Sequence, residues 1–326
     1  MDALISLALL FVFLFAGMLL ARIPRVALSP WLKKISAGVL FGLLFFMGFR
    51  MGRTTEGTAE LARVGLLSAG FALSTVVGTV AVLLLIFSFF RQGEREPLPS
   101  TSAEFLGDDP AAGSGAFTAS RLPAFMIHLK DPLRLFAFVA AGFLAGLLLP
   151  AGGFTGEVIS TWMLRALLLS IGMDLTAGGV SFRAVLAGKR TLLLPLGTAV
   201  GSLLGGLLMV PLFGLTPSET LAVSSGFGWY SLSGVLISDM GNPFLGSVAF
   251  MANILRETMA LLAIPFLGEA RLPYLAVGVG GATSMDVTLP LIERSCGAWI
   301  VPLSITSGAV LSLLVPVLVP LFYNLG

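Results

Sequence analysis

The stretch GVGGATSMDVTLP, residues 278–290, sits inside a chain that is otherwise mostly oil. Gly278, Gly280 and Gly281 fall within four positions and should spoil a helix, and Asp286 is a carboxylate with no water-loving neighbourhood around it. Backbone freed from a helix at membrane depth has no solvent to bond with, so it survives only where protein buries it or where it lines a polar cavity. An apolar segment that accepts both a break and an acid therefore reads as the wall of a cavity inside a membrane protein.

Composition agrees with that reading. Of 326 residues 56% are hydrophobic and only 11% are charged, against roughly 25% charge in a soluble domain; mean hydropathy is +0.99. Such a chain cannot cover its surface with groups that water solvates, so it is an integral membrane protein. A formal charge of +2 is too small to suggest a nucleic-acid partner. The single cysteine, Cys296, excludes an internal disulfide and a cysteine metal site, and the single histidine, His128, leaves no material for a His-ligated metal or a catalytic triad. No cofactor, no metal and no enzymatic chemistry are expected.

Apolar runs near the roughly 20 residues a bilayer core requires occupy 3–20, 35–49, 64–90, 133–149, 158–175, 191–213, 220–238, 243–267, 273–292 and 298–322. The first has Asp2 ahead of it and its cations after it, the reverse of a signal peptide, so it reads as a first span. Two runs carry glycine-rich breaks that allow re-entry, which leaves eight to ten true crossings. The expected fold is an all-α, polytopic helical membrane protein with two interrupted helices. Residues 91–131, rich in Pro, Gly, Ser and charge, read as a flexible linker between a three-helix unit (1–90) and a larger transport unit (132–326). Arg22, Arg25, Lys33 and Lys34 in the first loop, four cations in the linker, and Arg183, Lys189 and Arg190 mark the cytoplasmic side by the positive-inside rule. Both termini then lie outside; Arg50, Arg53 and Arg63 fit that scheme poorly.

A weak internal repeat aligns Gly48 with Gly172 and Gly78 with Gly201. The copies are three spans apart and so opposite in orientation, as in secondary transporters whose halves rock about a midplane site. Arg50 and Asp174 occupy matching positions in the copies and are expected to form an ion pair.

The second break, SSGFGWYSLSGVLIS (224–238), carries Gly226, Gly228, Ser231 and Ser233 alongside Ser225 and Gly234. With Gly281, Thr283 and Ser284 it offers half-helix ends and hydroxyls to the charged ends of a small zwitterion. Close helix packing by small residues explains the glycines but not the hydroxyls and Asp286 together. Trp229 and Tyr230, central in their segment, fit either a substrate path or core packing. Asp286 is the sharpest residue, because a mid-membrane carboxylate is costly and functional by default; it is expected to bind an ammonium or a proton. Arg256 and Glu257 are adjacent and deep, and Asn253 shares the face of Glu257 one turn earlier; structural pairing and substrate contact both suit them. GVGG and GFGW follow no strand, so a dinucleotide site is rejected on context.

SGFGWYSLSGVL, RETMALLAIPFL, GATSMDVTLP, GAVLSLLVPVLVPLF and LFFMGFRMG together resemble the lysine exporter (LysO) family of bacterial inner-membrane proteins. The chain departs from that family's pattern at Ala252-Asn253, where Asn-Asp is frequent, and at Arg50. The resemblance implies export of L-lysine and basic analogues from the cytoplasm, with an essential intramembrane acid carried over to Asp286 and H⁺ as the suspected coupling ion. The expected partners are that cationic amino acid, the coupling ion and the lipid bilayer, with an oligomer left open. The alternatives are a cation/proton antiporter, or an exporter of another small amino acid or metabolite.

Overall fold

A computed structural model describes residues 2–21, 30–54, 58–90, 121–148, 157–177 and 189–326. Its helices are α1 (Asp2–Leu20), α2 (Pro30–Thr54), α3 (Thr58–Phe90), α4 (Arg121–Leu148), α5 (Glu157–Ala177), α6 (Lys189–Leu207) and the single turn α7 (Met209–Phe213). There follow α8 (Pro217–Ser224), α9 (Tyr230–Asp239), α10 (Pro243–Glu269), α11 (Pro273–Gly280), a 3₁₀ turn (Gly281–Met285), α12 (Leu289–Cys296), a second 3₁₀ turn (Ala298–Ile300) and α13 (Val301–Tyr323). No strand occurs among the described residues. The chain is a polytopic helical membrane protein. Ala59–Ser88, Thr191–Phe213, Pro243–Glu269 and Ala298–Tyr323 have the length and apolarity of full spans, and Leu66, Leu73, Val77 and Leu85 point outward along α3, where lipid rather than water would meet them.

α4 begins at Arg121, so residues 121–131, read from the sequence as linker, are helical; residues 91–120 lie outside the described set.

The sequence sets many of the helix starts. Pro217, Pro243, Pro273, Pro290 and Pro302 stand in the first turns of α8, α10, α11, α12 and α13, where the missing N–H is no loss. Thr216 and Glu219 close a reciprocal capping box at α8, with the Thr216 N–H donating to Glu219 Oε2 (2.9 Å) and the Glu219 N–H to Thr216 Oγ1 (3.2 Å). Asn242 Oδ1 accepts from the Leu245 N–H (2.9 Å) at the head of α10.

Among the described residues, the extensive contacts of α1, α2 and α3 are all with later helices: α1 with α5, α2 with α4, α3 with α6 and α10. The pattern is symmetric. Gly48 on α2 lies against the Val139 carbonyl on α4, and Gly172 on α5 against the Leu14 carbonyl on α1. Gly142 on α4 meets the Phe45 carbonyl on α2, and Gly17 on α1 meets the Leu169 carbonyl on α5. Exchanging the triplet α1–α2–α3 for α4–α5–α6 turns each contact into its twin. The pair α3–α6 maps onto itself, and Gly78 and Gly201 meet at its crossing, where a Cβ on Gly201 would stand 2.6 Å from the Gly78 carbonyl oxygen. α3 and α6 run antiparallel, since Gly70 faces Met209, Ser74 faces Gly205, and Leu83 faces Gly197. The inverted repeat read from the glycines is thus a pseudo-twofold axis through Gly78 and Gly201, and small residues there let two backbones touch.

Both interrupted segments turn back on themselves. α8 runs along α6, with Gly206 against Ser224 and the Thr220 carbonyl. After the break at 225–229, α9 returns along α10, with Gly234 against Phe250 and Gly246 against Ser238. Both mouths of this first hairpin open on one face: Ser218 lies against Gly326, and the Tyr323 hydroxyl lies close to the Asn242 side chain. α11 enters from the opposite face, with Tyr274 stacked on Phe87 at 4.4 Å and Gly278 against Leu83. α12 then leads back out, bringing Ser295 against Gly268. Between the two mouths runs α10, whose 27 residues make about 40 Å of helix, more than a bilayer core. Among the described residues the fold is therefore eight long helices and two hairpins that turn back on themselves, four of the long helices having the length and apolarity of full spans. Hairpin plus α10 and hairpin plus α13 form a second pair of opposed units.

Candidate functional site

The tips of the two hairpins meet. The Ala282 N–H, on the tip of the second hairpin, donates to the Phe227 carbonyl on the tip of the first (2.9 Å). Phe227 has φ +48°, Gly228 φ +97° and Gly281 φ +62°, so the turns depend on left-handed backbone that side chains resist. At Gly281 the need is double, because a Cβ there would also run into the Phe227 carbonyl.

Asn253 on α10 holds the first tip. Its Oδ1 accepts from the Gly228 N–H (2.7 Å), and its Nδ2 donates to Ser233 Oγ (3.1 Å) and to the Ala249 carbonyl (2.8 Å). Gly226 lies so close to this amide that any Cβ would displace it. Ser233 passes its own hydroxyl to the Trp229 carbonyl (2.9 Å). Tyr230 is buried edge-on to Phe250, ring centroids 5.8 Å apart, while Trp229 is half-buried; Ser231 is buried in α9.

In the second tip the hydroxyls serve the broken backbone. Thr283 Oγ1 donates to the Gly280 carbonyl (2.9 Å) and Ser284 Oγ to the Gly281 carbonyl (2.7 Å). Ser304 Oγ on α13 donates to the Ser284 carbonyl (2.7 Å). These are the carbonyls that a continuous helix would have paired, which is how a break at this depth stays satisfied. Asp286 follows the 3₁₀ turn on the exposed side of the tip, and its Oδ1 accepts from the Val287 N–H (2.6 Å). Its neighbour Met285 packs on Gly308, the eighth residue of α13 and so about 10 Å from that helix's start.

Arg256 and Glu257, each 2% exposed, lie one turn beyond Asn253 on α10. Arg256 Nη1 donates to Ser202 Oγ (2.8 Å) and Nη2 to Thr79 Oγ1 (3.4 Å); Ser202 donates onward to the Ser224 carbonyl (2.8 Å). Thr79 follows Gly78 and Ser202 follows Gly201, so the guanidinium straddles the pseudo-twofold axis between equivalent hydroxyls. Neither hydroxyl was singled out from the sequence. The signal was present, because Thr75-Val-Val-Gly-Thr79 and Thr198-Ala-Val-Gly-Ser202 repeat a hydroxyl, two apolar positions, a glycine and a hydroxyl.

Arg50 lies 3.9 Å from Asp239 at the end of α9, and Thr161 Oγ1 donates to the same carboxylate (3.3 Å). Asp174, the expected partner of Arg50, falls in α5, with its side chain outside the described residues. Gly226, Gly228, Ser233, Asn253, Gly281 and Thr283 therefore meet at the tips, with Glu257 one turn further along α10 and Asp286 at the outer edge.

Opposed hairpins whose tips touch inside the helical bundle, beside a polar stripe on α10, suit passage of a small polar solute. A family model described as Lysine exporter LysO matches residues 136–323. The Escherichia coli (strain K12) protein named Lysine exporter LysO is 30% identical over 322 residues, 95% of this chain and 99% of that protein. A Haemophilus influenzae protein named Putative lysine exporter is 36% identical over 162 residues, 49% of this chain and 82% of its own length. The chain belongs to the lysine exporter LysO family.

Proposed function

We propose that this protein exports L-lysine and basic analogues across a bacterial inner membrane, coupled to H⁺. The meeting of the two hairpin tips at Phe227 and Ala282 carries the reading. A site between hairpins that enter from opposite faces becomes open to one side when one tip withdraws and to the other side when its counterpart does. The broken backbone at 225–229 and 281–288 supplies N–H groups and carbonyls for the amino acid's polar ends. Asp286 supplies the ammonium with a counter-charge that lipid cannot, and its protonation releases the guest. In this reading residues 91–120 lie in the cytoplasm, both termini outside, and the first hairpin opens outward.

The test is efflux of labelled lysine from cells lacking their own exporters, repeated in inverted vesicles with an imposed pH gradient. Lysine movement that depends on this protein and follows the gradient supports the proposal. Lysine movement indifferent to the gradient sinks the H⁺ coupling, and no lysine movement from a well-expressed protein sinks the substrate.

A further inference from the structure

Arg256 is a cation in the middle of the molecule, 2% exposed, with no carboxylate within ion-pair distance among the described residues. Its two recorded hydrogen bonds go to the neutral hydroxyls of Ser202 and Thr79, and its Nε–H has no partner. A buried charge without a counter-ion is among the most expensive arrangements a protein can hold, so a guanidinium kept this way calls for an anion. The same side chain lines a cavity of about 10 Å³ with Phe71, Thr75, Ser224 and Asn253, room for one water or one ligand oxygen.

The donors around that cavity settle what it accepts. Thr75 Oγ1 already donates to the Phe71 carbonyl (2.7 Å) and Ser224 Oγ to the Thr220 carbonyl (2.6 Å). Both amide hydrogens of Asn253 are engaged by Ser233 and Ala249. Of the five N–H groups of a guanidinium, two are used, so the donors left facing the space belong to Arg256. An ammonium or a metal cation finds a positive charge there. An acceptor with negative charge finds the free Nε–H and the remaining guanidinium hydrogens, with space for one oxygen of a carboxylate.

We infer that Arg256 is the subsite for the α-carboxylate of the exported amino acid, an assignment that rests on the proposed function for the identity of the guest. Ser202 and Thr79 hold the fork on the pseudo-twofold axis. Ser224, at the inner end of α8, walls the cavity, so the first hairpin moves with the guest. The exposed Asp286 and the buried Arg256 then grip opposite charges of one zwitterion, and cationic analogues without a carboxylate are rejected.

The test uses the purified full-length protein and follows its thermal midpoint with L-lysine, lysinamide, cadaverine and 6-aminohexanoate, with chloride titrated separately. Lysine and 6-aminohexanoate stabilise the wild type, lysinamide and cadaverine need at least about tenfold higher concentration for the same shift, and Arg256→Gln removes that preference while Arg256→Lys keeps part of it. The wild-type acid–amide comparison stands even if Arg256→Gln does not fold. Equal stabilisation by lysine and lysinamide overturns the subsite, as does an Arg256→Gln protein that keeps the preference, or a wild-type shift fully reproduced by chloride. If lysine has no effect on the wild type, the lysine reading fails, and the acid–amide pairs of glycine, ornithine and glutamine decide the subsite alone; no acid surpassing its amide overturns it.

Discussion

The Ala282 amide and the Phe227 carbonyl, 2.9 Å apart, form the bond that ties one re-entrant hairpin to the other. Neither group has a helical partner, because each sits where its helix has just ended. Each would be an orphan at membrane depth, costing several kcal/mol, and each satisfies the other.

Gly281→Ala should break this arrangement. The residue has φ +62°, ψ −130°, a region essentially reserved for glycine, and strain there costs about 1–3 kcal/mol. The methyl group would also strike the Phe227 carbonyl. A lower thermal midpoint in detergent and loss of efflux are expected; wild-type values for both would show that the tips are not held this closely.

Asn253→Leu keeps the bulk of the side chain but leaves the Gly228 N–H without its acceptor. An unsatisfied buried donor costs about 1–3 kcal/mol. Ser233→Ala removes one hydroxyl from the same cluster and should cost less. Chemical denaturation of both variants measures the order, and a larger loss for Ser233→Ala would contradict the assigned role of Asn253.

Asp286→Asn preserves an oxygen for the Val287 N–H, so expression and folding should be retained while the charge disappears. Efflux should be abolished, and Asp286→Glu should recover part of it at best. Normal efflux from a well-expressed Asp286→Asn protein removes Asp286 from the mechanism.

Reporter fusions test the orientation. A fusion at Gly115 should report the cytoplasm and a fusion after Gly326 the opposite side, because α4, α5, α6, α10 and α13 make five crossings between them. Reports from the same side would require a different count of crossings.

Much of this was legible in the chain. Glycine clusters located both breaks, and the match of Gly48 with Gly172 and of Gly78 with Gly201 revealed the repeat, since close backbone approach leaves no other residue available. Whether a broken helix continues or turns back was not legible. Gly-Phe-Gly says only that helical bonds stop, and the return of α9 is decided by Gly234 fitting Phe250 on a helix still to come. The hydroxyls of Thr283 and Ser284 were visible as polar groups, yet their service to the freed carbonyls depends on the turn geometry. Symmetry points Arg50 to Asp174, whose side chain lies outside the described residues; Asp239, 3.9 Å from Arg50, was not legible as a further neighbour, because it ends a hairpin whose path the sequence left undetermined.

The symmetric packing of the two triplets bears on how the protein is made. A chain leaves the ribosome N-terminus first, so α1, α2 and α3 enter the bilayer before any of their main partners exist. Gly17, Gly48 and Gly78, the residues that let backbones touch, must face lipid tails until α4, α5 and α6 arrive. Among the described residues the close backbone packing of these three helices therefore waits on helices translated after them.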